Sequence, residues 1–548
     1  MAKSAFLVSN VRLRRSRTEL LLVALTVLIG LGFVASVLHL SALRGRLAMP
    51  LTYDDIVYFI DGFDLFERQF KTGVASLIRP TLYMHAPFQS LLALTGYHLF
   101  GLNDWSGYQV NGLLLIGFLI SVLWLTKPLD LMSRIAILVL VLMTPFTANL
   151  VAEFRPDLFW GVLCGFAVYL LLRPNLFDAN WTGRSVTLIV TVAAVYAKPS
   201  AFPATALIVG TAFLAAVVLR LSYRPLTRRE LAVRAGFPLI AGALLAAPYF
   251  VTNAFTLYNY IYKAYVTLGD LNTYRAPIWD HAFYFSTGTC YRTALFFALW
   301  IGLAAFAANI IQLLWSGRRE DLVYYSCYAG VVLVAYLIPT LSPVKSYYLG
   351  GIFYGTFLVF TIASLVALFQ AITSRLARYT LGAALAGLAL FTAPGVPLAT
   401  KVDPKDAADW RAAYDQMVAA IVKDVAHSSV SSGVAASGTP LVVYTSSPGV
   451  NAQTISIILR WEGISVRPDT SYYTRTLQTL EKQLLRSDYA ILSDFHDESY
   501  PGWILTPQLL EFAMKQAEFE TISTYTHPSG MRIYLLKHNK ADIRRGNN

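Results

Sequence analysis

Eleven apolar runs, each close to the length needed to cross a bilayer, decide what this chain can fold into. Inside a membrane every backbone N–H and C=O must be satisfied within its own segment, so such runs span as helices of roughly 20 residues. They fall near 20–41, 108–126, 135–152, 158–172, 185–198, 201–220, 236–254, 294–315, 322–341, 349–370 and 379–394. The first, "LLLVALTVLIGLGFVASVLHL", follows Arg12, Arg14, Arg15 and Arg17. It is too long for a secretory apolar region and lacks a small-residue cleavage site, so it reads as a retained helix.

Charge places these helices in a membrane and orients them. Only 14% of the residues are charged, against about 25% in soluble domains, and the mean hydropathy is +0.52. The net charge is +12; residues from Lys401 onward hold 15 Lys+Arg against 16 Asp+Glu, which leaves +13 on residues 1–400. A basic excess confined to the membrane part fits orientation charges and anionic lipid, and nucleic acid is not an expected partner. Alternate loops are short and basic: the N-terminus, Lys127 to Arg134, Arg173 to Arg184, Arg220 to Arg234, Arg318–Arg319 and Arg375–Arg378. The positive-inside rule puts these in the cytoplasm, and an odd number of spans puts the C-terminus outside. The three cysteines suggest neither a disulfide nor a metal site.

After about residue 400 the pattern changes. "PLVVYT" and "DYAILSD" read as buried strands, while "DWRAAYDQMVAAIVKDV", "AQTISIILRWEG" and "TRTLQTLEKQLLRS" have helical periodicity. "FETISTYTHPSGMRIYLLKH" reads as a hairpin turning at Pro528-Ser529-Gly530, and "HSSVSSGVAASGT" as a loop. The expected organisation is a transmembrane domain over 1–400 and an extracytoplasmic α/β domain over 401–548. No nucleotide-binding glycine motif is present.

The outer loops carry the chemistry. The first, about 42–107, contains "LTYDDIVYFIDGF" and an amphipathic stretch, "PFQSLLALTGYHLFGL", that reads as an interfacial helix. The loop over about 255–293 is rich in tyrosine, which at this depth equally describes an aromatic belt. Acidic candidates outside are Asp54, Asp55, Asp61, Glu153 and Asp157; basic ones are His85, Arg155, Lys198, Arg275, Arg292 and Lys345. Charges at span ends commonly snorkel to the interface. Lys198 and Lys345 stand beside Pro199 and Pro343, so the helix breaks where the cation sits, as it does around polar cavities. For Asp55 the local alternative is a capping box with Thr52, with Asp54 in the first helical turn. Cations to hold a phosphate and a carboxylate to take a hydroxyl proton, beside apolar spans that hold a lipid tail, suit sugar transfer from a lipid-phosphate donor.

The segments "YDDIVYF", "LYMHAPFQSLLALTGYHLFG", "RPDLFWGVLCGFAVYLLL", "AKPSAFPATAL" and "SPVKSYYLGGIF" occur in that order and on one side. In this the chain resembles the polytopic GT-C glycosyltransferases of the protein O-mannosyltransferase and aminoarabinose-transferase type, over most of residues 20–370. The resemblance implies a GT-C-like polytopic α-helical membrane protein of about eleven transmembrane helices with a soluble C-terminal α/β domain. It also implies an inverting transfer from a polyprenyl-phosphate sugar to a hydroxyl of an envelope glycan, glycolipid or protein, at a multi-pass inner membrane. By the resemblance Asp54 is the catalytic base and Asp55 its support or the acceptor's guide. Arg155, Lys198, Lys345 and Tyr347 fall to the donor phosphate, and His85, Glu153, Asp157 and Arg275 to the sugar or acceptor. His85 precedes Ala86-Pro87 where the family has a proline pair, and Ser200 departs from the family's lysine–glycine–proline step. No cofactor is expected and no metal is demanded, although the outer carboxylates suit one divalent ion.

Two rival readings differ in class. A transporter or flippase of lipid-linked sugars would carry internal repeats and mid-span charges, and neither is found in the sequence. An inactive scaffold for the C-terminal domain would not need Asp54 or Asp55. The topology itself is testable: alkaline phosphatase fused after Asn548 is expected to be active and a cytoplasmic fluorescent reporter dark. The opposite result would place the acidic pair in the cytoplasm.

Overall fold

A computed structural model describes residues 17–51, 54–84, 86–172, 181–223, 228–262, 274, 276–392, 398–432 and 440–539. His85 and Arg275 lie outside the described residues. The chain divides into two compact units, one of residues 1–39, 64–96 and 107–399, the other of 40–63, 97–106 and 400–548.

In the first unit each expected span lands on a helix, but not all are full membrane length. Among the described residues seven helices are long and apolar enough to cross, and an eighth span is a broken pair, Leu131–Met143 and Pro145–Ala152, bent by 57°. The break has a cause: Pro145 cannot continue the preceding helix, and Phe146 N–H donates instead to Ala294 O at 2.8 Å. Three of the eleven expected spans are helices too short or too charged to match the others. Pro156–Leu172 and Trp181–Ala197 have 17 residues each, the lower limit for crossing. Arg375–Thr392 carries Arg375 and Arg378 in its first turn.

The most enclosed span is Tyr347–Ala371, 83% buried over its apolar window. Its helix, Gly351–Ala371, meets Pro156–Leu172 backbone to backbone. A Cβ added at Gly161 would lie 1.8 Å from Gly351 O, one at Gly355 2.2 Å from Gly161 C, and one at Gly351 2.5 Å from Asp157 O. Gly161/Gly165 and Gly351/Gly355 are thus two facing glycine-x-x-x-glycine pairs, the spacing that lets membrane helices approach by dispersion alone. The contact holds the 153–157 turn against the 345–351 segment, and so it sets the geometry of the ionic groups described below.

The second unit contains a five-stranded sheet ordered β2-β1-β3-β5-β4. The strands are β1 (Leu441–Ser446), β2 (Val466–Thr470), β3 (Tyr489–Ser493), β4 (Phe519–Thr526) and β5 (Arg532–His538). β1 pairs in parallel with β2 and β3, while β5 runs antiparallel to β3 and β4. The hairpin turn sits where the sequence puts it, with Gly530 at φ +90° and His527 N–H bonded to Met531 O at 2.8 Å. β2, "VRPDT", has no apolar alternation to announce it; Pro468 is tolerated because this strand lies at the edge. One core, with Tyr414, Ile455, Ile491 and Ile533, lies on one set of side chains, and a second contains Leu480, Leu492, Leu509 and Leu536. The stretch read as a loop from His427 is helical as far as Ser432, the end of the Pro404–Ser432 helix. Serines in a final turn are compatible with a helix already propagated from a packed apolar face.

Over-packing at the glycine seam gives a direct test. Gly161→Val and Gly355→Val are expected to destabilise the chain by about 1–3 kcal/mol or more, read as a lower unfolding midpoint in detergent. Gly117→Ala and Gly210→Ala, where an added Cβ meets nothing within 4 Å, should leave the midpoint unchanged.

Candidate active site

The ionic groups of the first unit collect where its helices break. Glu153 follows the Pro145–Ala152 helix and Asp157 opens the next, in its first turn. Glu153, Arg155 and Asp157 are all buried, at 1%, 6% and 5% exposure. Three charges at this depth are sustained only by one another and by polar neighbours. Arg155 Nε lies 4.0 Å from Glu153 Oε2, and its guanidinium lies over the Tyr348 ring at 4.0 Å from the centroid. Asn111 Nδ2 donates to Glu153 O at 2.8 Å, which ties this turn to the Ser106–Leu125 helix.

Lys198 occupies the break between the Trp181–Ala197 helix and the short turn Pro199–Ala201. Its ammonium is ion-paired with Asp157 and lies 5.4 Å from the centre of the Trp160 ring. Trp160 is fixed in turn by its Nε1–H, which donates to Thr205 Oγ1 at 2.8 Å. The expectation that Lys198 is a phosphate ligand and Asp157 a sugar ligand therefore meets a pair that neutralises itself.

Lys345 lies in the stretch that follows the Arg319–Leu341 helix. It donates to Pro339 O at 2.9 Å and Thr340 O at 2.6 Å, so the cation caps the negative end of that helix. An ammonium has three protons, and Lys345 makes no further hydrogen bond among the described residues. Phe285 covers it at 5.4 Å, and partial burial lowers its pKa below the ordinary lysine value. Tyr347 stands edge-on to Tyr348, and its hydroxyl is buried without a hydrogen-bond partner among the described residues. Lys198, Asp157, Arg155 and the Lys345–Tyr348 segment thus form one cluster around the close contact of Asp157 with Gly351.

The acidic pair belongs to the second unit. Asp54 is exposed in the turn just before the Asp55–Thr72 helix, and its carbonyl accepts from Val57 N–H at 3.2 Å. Asp55 is the first residue of that helix, and Thr52, the other half of the capping box, lies outside the described residues. Its carboxylate is wholly buried 2.8 Å from the Arg46 guanidinium, itself nearly buried. The two adjacent carboxylates therefore have separate environments. Arg46 was not among the residues singled out in the sequence, yet a signal for it exists: an arginine in a loop that the charge pattern reads as outer, where the positive-inside rule does not favour one. Tyr348 was missed because nothing local marks which ring in an aromatic-rich stretch will lie beneath a guanidinium. Among the described residues no three His, Cys, Asp or Glu side chains gather as a metal-binding set.

No family model and no curated protein sequence matches the chain. Two solved structures do. ArnT from Cupriavidus metallidurans in the apo state is 15% identical, with 95% of this chain and 98% of that one covered and a TM-score of 0.47. ArnT from the same organism bound to undecaprenyl phosphate is 12% identical over the same shares, with a TM-score of 0.52. At 12% identity the likeness to the undecaprenyl-phosphate-bound ArnT is one of fold alone, and it runs nearly the full length of both chains: this protein shares the fold of that ArnT.

Proposed function

We propose that the chain is an inverting glycosyltransferase that moves a sugar from a polyprenyl-phosphate donor to a hydroxyl of an envelope glycan, glycolipid or protein. In this reading it is a multi-pass protein of the inner membrane with its N-terminus in the cytoplasm. Its active site and C-terminal domain are extracytoplasmic. The observation that carries the proposal is the cluster of Arg155, Lys198 and Lys345 at helix breaks in a chain of ArnT fold. Cations gathered at helix breaks, with a third Lys345 N–H unused among the described residues, suit a phosphate ester that gains charge as its bond to sugar breaks. That the ArnT of C. metallidurans takes up undecaprenyl phosphate supports the donor class.

In the proposed reaction Asp54 takes the acceptor's hydroxyl proton as the oxygen attacks the anomeric carbon. The bond from that carbon to the phosphate oxygen breaks with inversion, and polyprenyl phosphate leaves as an anion held by Lys345 and Arg155. Lys198 lends charge through its pairing with Asp157, Glu153 steadies Arg155, and the Tyr347 hydroxyl supplies a neutral donor. Asp55 acts through Arg46, to fix the start of the helix that follows Asp54. His85 and Arg275 stay candidates for the sugar on the resemblance alone.

Asp54→Asn keeps the side-chain shape but cannot accept a proton. It is expected to fold with wild-type stability and to transfer sugar at least ~10²-fold more slowly. Asp55→Asn is expected to act differently, through a lower unfolding midpoint, since breaking a buried ion pair costs about 3–5 kcal/mol. Both are measured with a panel of synthetic short-chain polyprenyl-phosphate sugars, beside mass spectrometry of envelope glycans from a deletion strain complemented with each variant. Normal turnover in Asp54→Asn would remove it as the base.

Lys345→Ala is expected to raise the donor KM and lower kcat, because the phosphate charge it meets grows in the transition state. A lysine with a lowered pKa loses its charge, and kcat/KM with it, at a lower pH than an ordinary lysine. Lys345→Arg should therefore carry the alkaline limb of the kcat/KM profile to higher pH while recovering only part of the rate. Unchanged donor kinetics in both variants would leave Lys345 as a helix cap alone.

A further inference from the structure

We infer that the C-terminal α/β domain is a positioning element for the Asp54 loop, with Thr454 and Arg411 the positioning side chains. This rests on the reading of Asp54 as the base. Between the first long helix, which ends at Arg44, and the helix that starts at Asp55, the described chain has one short turn, Arg46–Ala48, and otherwise irregular backbone. Such a segment offers carbonyls with no ladder to receive them, and each buried one needs a donor. The donors come from residues more than 350 positions later.

Arg411, on the Pro404–Ser432 helix, donates to Leu47 O at 3.2 Å and Ala48 O at 3.4 Å, and its other contact is Asp104 at 3.1 Å. Thr454, buried in the first turn of the Ala452–Trp461 helix, donates its hydroxyl to Leu51 O, three residues before Asp54. Val402 N–H donates to Arg44 O at 2.9 Å, and Thr400 Oγ1 accepts from Arg46 Nε at 3.3 Å. Beyond Asp55 the same domain grips the following helix: the Arg460 guanidinium lies over Phe63 at 4.7 Å. The loop is thus folded as part of the domain's own compact unit, whose residues include 40–63 together with 400–548.

Leu47 and Leu51 are buried while Asp54 is exposed, so the anchors hold the backbone that leads into Asp54 without burying its carboxylate. A general base must meet its proton within hydrogen-bond reach, and displacement by about 1 Å from a remote change costs up to ~10²-fold in rate. Surrounding contacts that lock a reacting group add rate without touching substrate.

The test is Thr454→Val, which keeps the side-chain shape and removes the hydroxyl. With the same short-chain polyprenyl-phosphate sugars, kcat is expected to fall at least ~10-fold while the donor KM stays unchanged. Thr454→Ser should restore it. In the Asp54→Asn background Thr454→Val should cost nothing further, because the base it positions is gone. Backbone amide exchange over residues 46–57 should rise in Thr454→Val without a change in the sheet of the domain. Arg411→Lys, which keeps the charge beside Asp104 and loses the fork, gives a second variant of the same sign should Thr454→Val fold poorly. Wild-type kcat in both variants, or an equal loss in the Asp54→Asn background, would overturn the positioning role and leave the base assignment standing. An active Asp54→Asn would overturn the base assignment, and the positioning role with it.

Discussion

The contact of the Pro156–Leu172 and Gly351–Ala371 helices through four glycines governs the first unit. Lipid chains are as apolar as leucine, so two membrane helices gain little by hiding apolar surface from them. What they gain is contact, and glycine allows backbones to touch along two turns. The seam ends at Asp157 and Gly351, where both helices begin. The turns leading into those helices are therefore held together, and they carry Arg155, Asp157, Lys345 and Tyr347.

Charge at that depth is costly, and each charged group has a stated compensation. Lys198 has Asp157, Arg155 has Glu153 and the face of Tyr348, and Lys345 has the carbonyl end of a helix. These pairings offset the cost of burying the cations. They also describe what an arriving phosphate would meet: Lys345 with one proton to spare, and Lys198 already committed to a carboxylate. A pairing of that kind contributes little to stability beyond the cost of burial.

Asp54 and Asp55 make the same point within one dipeptide. Asp55 is buried against Arg46, while Asp54 is exposed. Two adjacent carboxylates would repel each other in a shared environment, and the helix start separates them by turning one inward. The irregular loop before them gives carbonyls to Arg411 and Thr454, more than 350 residues later in the chain.

The sequence by itself determined the membrane class, the location of the apolar helices and four of the five strands, because apolar length and periodicity are local quantities; the Asp55–Thr72 and Thr506–Lys515 helices were not located. It also marked the residues at helix breaks, since proline beside lysine is visible in one dimension. The glycine seam was equally visible as two four-residue spacings, but which helices they join is not local information. Only the tertiary structure decided that Asp55 is spoken for by Arg46, that Asp157 neutralises Lys198, that Tyr348 lies under Arg155, and that Thr454 reaches the Asp54 loop. Each is a contact between side chains far apart in the chain. Burial chooses such partners, because a charge or carbonyl removed from water takes whichever complement the packing brings within reach.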